Sequence, residues 1–178
     1  DGYSVNITGD NTGVFGMYND MYDANLSVGN TYLTTVNNLV HDYKVNNFTL
    51  TGNTNMIADV DIKNQEMDRF TANGYGEHNG TLNVIGMNLL SDAPDDREVT
   101  AIYFAQQGLK DHVSTTSLDL PQKEYQTTAY TPIYKYNVLY KTDYATEENG
   151  LEDGGYFLFT KGDRILTPGG GSSSTGNP

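Results

Sequence analysis

Tyr134-Lys135-Tyr136-Asn137-Val138-Leu139-Tyr140-Lys141, followed after an acidic turn by Gly155-Tyr156-Phe157-Leu158-Phe159-Thr160, decides the reading of this chain. In the first run Tyr134, Tyr136, Val138 and Tyr140 occupy alternate positions, the period of a strand with one buried face. The second run is short, aromatic and equally suited to a pleated surface. Together they read as a hairpin-like pair closing an all-β stack. A bare tail follows, Thr167-Pro168 and then glycines and serines. Residues 1–166 are therefore expected to fold, and 167–178 to form a flexible Gly/Ser linker, native or engineered, because such a composition cannot bury apolar surface.

Similar short runs recur upstream: Tyr3 to Thr8, Tyr32 to Leu39, Phe48 to Leu50, Ile57 to Ile62, Thr81 to Leu90 and Val99 to Ala105. Gly-Asp, Gly-Asn and Asn-Gly pairs punctuate them as turns. In Ala58-Asp59-Val60-Asp61-Ile62 the apolar residues share one face and both aspartates the other. In Thr81 to Leu90 the alternation of Leu82 and Val84 resumes out of phase at Met87 and Leu89, with Gly86 at the break. That is the sign of a bulge or bend, and a corner there would join two sides of a coiled rung. Helical periodicity is poor. Asn64 to Phe70 and Gln106 to Val113 could each make a turn or two, the second weakened by Gly108. A β-sandwich also yields many short strands. The glycine and asparagine corners, the uneven spacing and the distinct aromatic end favour a solenoid.

The 178 residues suit one domain with a real core. The formal net charge is −13, and the ten Lys and Arg are scattered. Nucleic acid and anionic lipid are thereby disfavoured as partners, since both require clustered cations. There is no cysteine, which suits a chain that threads unfolded through a pore, where an early cross-link would block passage. No apolar run is long enough for a membrane helix and no basic-then-apolar leader is visible. The chain reads as mature or as cut from a longer one.

Asp59-Val60-Asp61-Ile62, then Met67-Asp68-Arg69-Phe70-Thr71, then Gly80-Thr81-Leu82-Asn83-Val84, resembles the C-terminal passenger region of pertactin-like bacterial autotransporters. There a strand, an Asp-basic-apolar-polar step and a Gly-led strand follow in that order. The closing pair, Tyr134 to Val138 and Gly155 to Leu158, is similar to the last, autochaperone-like rung of the same family. Phe157 stands where that family commonly has Trp, and the acidic turn Thr146 to Asp153 is an insertion. The resemblance spans residues 48–166. It implies a right-handed parallel β-helix with a C-terminal capping strand pair, exported through the outer membrane of a Gram-negative bacterium. It also implies an outer-membrane β-barrel downstream in the same polypeptide, a role in passenger folding, and membership of an adhesin with a host surface protein or glycan as partner. Fold alone does not fix activity. The rivals are a polysaccharide-degrading β-helix enzyme fragment and a sugar-binding β-sandwich module.

The candidate chemistry is thin. Asp59 and Asp61, on one strand face, suit calcium ligation or acid/base work, but solvated outward charges are the simpler reading. The acidic loops Asp92 to Glu98 and Glu147 to Asp153 lack the ligand spacing of a calcium hand. His41, His78 and His112 are far apart in sequence, with no His or Cys at metal-ligand spacing. No Gly-x-Ser-x-Gly elbow or phosphate loop is present. The 14 tyrosines, some near Met17 to Tyr22 beside asparagines, suit sugar faces, though strand packing accounts for them. Four Asn-x-Ser/Thr sequons, at Asn6, Asn25, Asn47 and Asn79, match chance in so Asn- and Thr-rich a chain. The expectation is a structural protein, not an enzyme, with no catalytic, cofactor or metal residue assigned.

Overall fold

A computed structural model describes residues 2–115 and 124–165, with backbone only for 124–126. The linker expected at 167–178 lies outside the described residues. The described chain is all-β, with no α-helix. In order it contains β1 (Tyr3–Thr8), β2 (Val14–Gly16), β3 (Met21–Gly29), β4 (Thr31–Thr34), β5 (Asp42–Leu50), β6 (Thr54–Asp61) and β7 (Glu66–Met67). Then come β8 (Arg69–Tyr75), β9 (Leu82–Leu89), β10 (Val99–Gln106), β11 (Val113–Ser114), β12 (Glu124–Tyr130), β13 (Tyr134–Lys141) and β14 (Gly154–Arg164). Of the segments expected to make helical turns, Asn64 to Phe70 forms the end of a tight turn, β7 and the start of β8, and Gln106 to Val113 contains one 3-10 turn, Lys110–His112.

Strands are dealt alternately to two parallel sheets. The first has the order β1-β3-β5-β8 and the second β11-β9-β6-β4-β2, with β7 antiparallel to β6. Register pairs Tyr3 with Ala24, Asn25 with Asn47 and Asp42 with Arg69, so successive strands of the first sheet are offset by 21, 22 and 27 residues. No closed coil is formed among the described residues.

Parallel register places like beside like. Val5, Leu26, Phe48 and Tyr75 form one row across the first sheet, and Phe15, Leu33, Met56 and Val84 another across the second. Phe48 and Phe70 stack with centroids 5.5 Å apart and planes 5° from parallel. Side-chain amides also run along the stack. Asn46 Nδ2 donates to Asn25 Oδ1 at 2.8 Å, Asn73 Nδ2 to Asn46 Oδ1 at 3.2 Å, and Asn83 Nδ2 to Asn55 Oδ1 at 3.1 Å. Such ladders satisfy polar groups that neighbouring strands would otherwise desolvate. The corners bring backbones together: a Cβ at Gly80 would overlap the Gly52 carbonyl, so only glycine fits.

The phase break read at Gly86 is a β-bulge. Met56 pairs with Val84 and Ile57 with Gly86, leaving Ile85 as the extra residue. The strand runs on through it, so the corner expected there is absent.

The aromatic pair at the C-terminal side is formed, with Tyr140 opposite Phe157 and Val138 opposite Phe159. It is not a free-standing ribbon. β14 and β13 are the middle of a four-stranded antiparallel sheet, β10-β14-β13-β12. The physical reason is that a two-stranded ribbon would leave both backbone edges unpaired. Tyr136, Val138, Tyr140, Phe157 and Phe159 are fully buried, and one apolar core runs from Met17 through to Phe159. β10 lies beside β8, the last strand of the first sheet. Gln106 Oε1 accepts from Ala72 N at 2.8 Å and also from the Tyr75 hydroxyl, and Arg69 Nε donates to the Phe104 carbonyl at 3.2 Å. The edge of β8 is thus met by side chains where no strand continues the ladder.

Candidate functional site

Asp59 does not face solvent as its alternation suggests. It is 6% exposed, because the turn after β4 folds over the end of β6 and covers the outer face there. Asp59 Oδ2 accepts from Leu39 N at 3.3 Å and Oδ1 from Asn88 Nδ2 at 2.8 Å. Asp68, just before β8, is wholly buried. Its carboxylate accepts from Asp59 N at 2.9 Å, His41 N at 3.0 Å and Thr35 Oγ1 at 3.1 Å. Burial pushes the Asp68 carboxyl up to about 6 despite those donors, with the Asp59 charge adding to the rise. Beside it, the Tyr43 hydroxyl accepts from Val36 N at 3.1 Å and is also raised by burial.

Asp61, two residues on, belongs to a different set. Its oxygens accept from Asn64 Nδ2 at 2.7 Å and Ser91 Oγ at 2.6 Å. Burial alone would raise its pKa, but these bonds outweigh it and hold the carboxyl below its ordinary value. Asp59 and Asp61 therefore do not converge on one point. Asp68, the carboxyl with the raised pKa, is sealed from any substrate. The corner has the geometry of a polar clamp: Asp68 ties Thr35 and His41 to β6, and Asp59 ties Leu39 to β9.

His78 and His112, distant in sequence, come together with ring centroids 4.6 Å apart. His78 Nδ1 accepts from Leu50 N at 2.9 Å, so its proton sits on Nε2, 3.1 Å from the Gly108 carbonyl. Burial, and then the neighbouring His112, lower its pKa to about 4. These two rings line an open recess of about 450 Å³ with Asn30, Asn53, Thr81 and Asp111. His41 lies elsewhere, its Nε2 2.8 Å from Asp20 Oδ1. Among the described residues no three His, Asp or Glu side chains gather to hold a metal ion. The acidic turn after β13 is organised by Asn149, whose Oδ1 accepts from Thr146 N at 2.9 Å.

No family profile, curated protein or solved structure matches the chain. The sites rest on geometry alone. Sequence reasoning missed Asp68 and the His78–His112 pair. An aspartate just after the apolar Met67 and before a strand was the available signal for the first. The second arises only from the packing of corners some thirty residues apart.

Proposed function

We propose that this chain is a structural element, the terminal coils of a right-handed parallel β-solenoid that forms the stalk of an exported surface protein of the autotransporter passenger type. It is read as projecting an adhesin and assisting its folding, upstream of an outer-membrane β-barrel, without catalytic activity of its own. The observation that carries this reading is the dealing of strands alternately to two parallel sheets, with stacked side chains in register and an antiparallel sheet laid against one end. Such a stack stabilises each coil through its neighbours, and the terminal sheet covers edges that would otherwise pair with other chains.

Refolding from denaturant tests the folding role. Removal of residues 130–166 should leave the remainder slow to refold and prone to aggregate, whereas removal of 167–178 should change neither property. Equal refolding and solubility after the first deletion would overturn the capping role. Display tests the rest. Fused ahead of an outer-membrane β-barrel, the chain should become accessible to external protease on intact Gram-negative cells. Retention in the periplasm would count against export.

A further inference from the structure

The outer face of the second parallel sheet carries a recess that the stalk reading does not use. It has a volume of about 280 Å³ and is lined by Tyr32, Thr34, Asn37, Ile57, Asp59 and Asn88 among others. This lies at the small end of ligand pockets, the size of one ring and not of a peptide or a nucleotide. Tyr32 gives the lining an aromatic face and Ile57 an aliphatic one, and the remaining accessible lining is polar. Ile57 is 46% exposed and Tyr18 is 56% exposed. Tyr18 is held in place from two sides. Its ring covers Gly16, where a Cβ would come within 2.7 Å of Cζ, and its hydroxyl is 3.2 Å from Thr34 Oγ1. Gly16 pairs with Thr34 across the sheet, so Tyr18 stands at the rim.

Asp59 and Asn88 are fixed before any ligand arrives. Asn88 Nδ2 donates both to Asp59 Oδ1 at 2.8 Å and to Asn38 Oδ1 at 2.9 Å. Leu39 N holds the other Asp59 oxygen. A carboxylate and an amide held in place beside one aliphatic and one aromatic side chain match a ring bearing several hydroxyls, which offers apolar C–H faces and polar edges together. The Asp59 charge and the net charge of −13 exclude anions. We propose that this recess binds one pyranose ring of a neutral glycan. The inference goes beyond the stalk reading and does not depend on it.

The test is titration of the full, 15N-labelled chain with methyl glycosides of glucose, galactose, mannose and N-acetylglucosamine. At least one should move the amides of Tyr32, Ile57 and Asn88 together and saturably. Tyr32→Ala should weaken that binding about tenfold or more, and Thr34→Val, which keeps side-chain shape, should weaken it several-fold. Ile85→Ala, on the same sheet outside the recess, should leave it unchanged. Raising salt from about 0.05 to about 0.5 M should not alter the affinity for an uncharged ligand. The proposal is overturned if none of the four glycosides moves these amides. It is also overturned if methylammonium alone does so and salt abolishes the effect. Failure of the stalk reading would appear instead in refolding and display.

Discussion

Asp68 and His78 titrate in overlapping pH ranges with opposite effects on stability. The folded pKa of Asp68 is raised from 3.8 to about 6, so the folded protein holds a proton that the unfolded chain releases. Stability from this group is therefore present below pH 3.8 and is lost as pH rises through about 6. The folded pKa of His78 is lowered from 6.5 to about 4, so its stabilisation is present above 6.5 and is lost as pH falls towards 4. In the intact chain the two slopes oppose each other. Urea titrations at several pH values should show His78→Gln becoming relatively more stable as pH falls from 6.5 to 4, and Asp68→Asn losing stability more steeply than the parent over that window. Asp68→Asn should also cost about 1–3 kcal/mol near neutrality, since an amide nitrogen in place of Oδ2 cannot accept from Asp59 N or Thr35 Oγ1, while Oδ1 still accepts from His41 N. Identical pH profiles for both variants and the parent would refute the assignment. The sequence made Asp59 look solvated because alternation reports which side of a strand a residue takes. It says nothing of whether a turn from another part of the chain covers that side.

At the scale of elements, the regular patterns were the legible ones. β1 is as read from its sequence, and the buried row Tyr136, Val138, Tyr140 follows directly from alternation. The bulge at Ile85 was legible through Gly86. β3 and β8 were not, because Tyr22, Asp23, Asn25 and Asn73 break the apolar count while their side chains serve the exposed face and the amide ladders. The antiparallel sheet was half legible. Its aromatic pair is a local signal, but its pairing with β10 joins segments some fifty residues apart. The contact between β10 and β8 makes a specific prediction. Gln106→Ala would leave the Ala72 N–H without its partner on the edge of β8, at a cost of about 1–3 kcal/mol and with faster amide exchange at Ala72. Phe157→Ala, in the fully buried row of β14, should cost about 3–5 kcal/mol in the same urea assay. Loss of less than about 1 kcal/mol at Phe157 would mean that the antiparallel sheet is not part of the common core.

Across the whole molecule, acidity and architecture act separately. The charge of −13 sits mostly on exposed residues and opposes compaction. Both parallel sheets add strands in chain order, and within each the hydrogen bonds between neighbouring strands lie roughly along the line on which the strands are stacked. That orientation has a mechanical consequence. A pull applied along this line loads the bonds of one strand pair at a time, as in opening a zipper, whereas the antiparallel sheet adds side-chain anchors such as Arg69 to Phe104. Force should therefore peel β1 with β2, then β3 with β4, then β5 with β6, leaving the region around β8 until last. The offsets of 21, 22 and 27 residues between successive strands of the first sheet set the step sizes. At about 3.4 Å per extended residue, optical-tweezer records should show a sawtooth with increments of roughly 7 to 9 nm. A single rip spanning the whole chain would mean that the strands yield together, and a tether built this way would snap instead of paying out its length in measured increments.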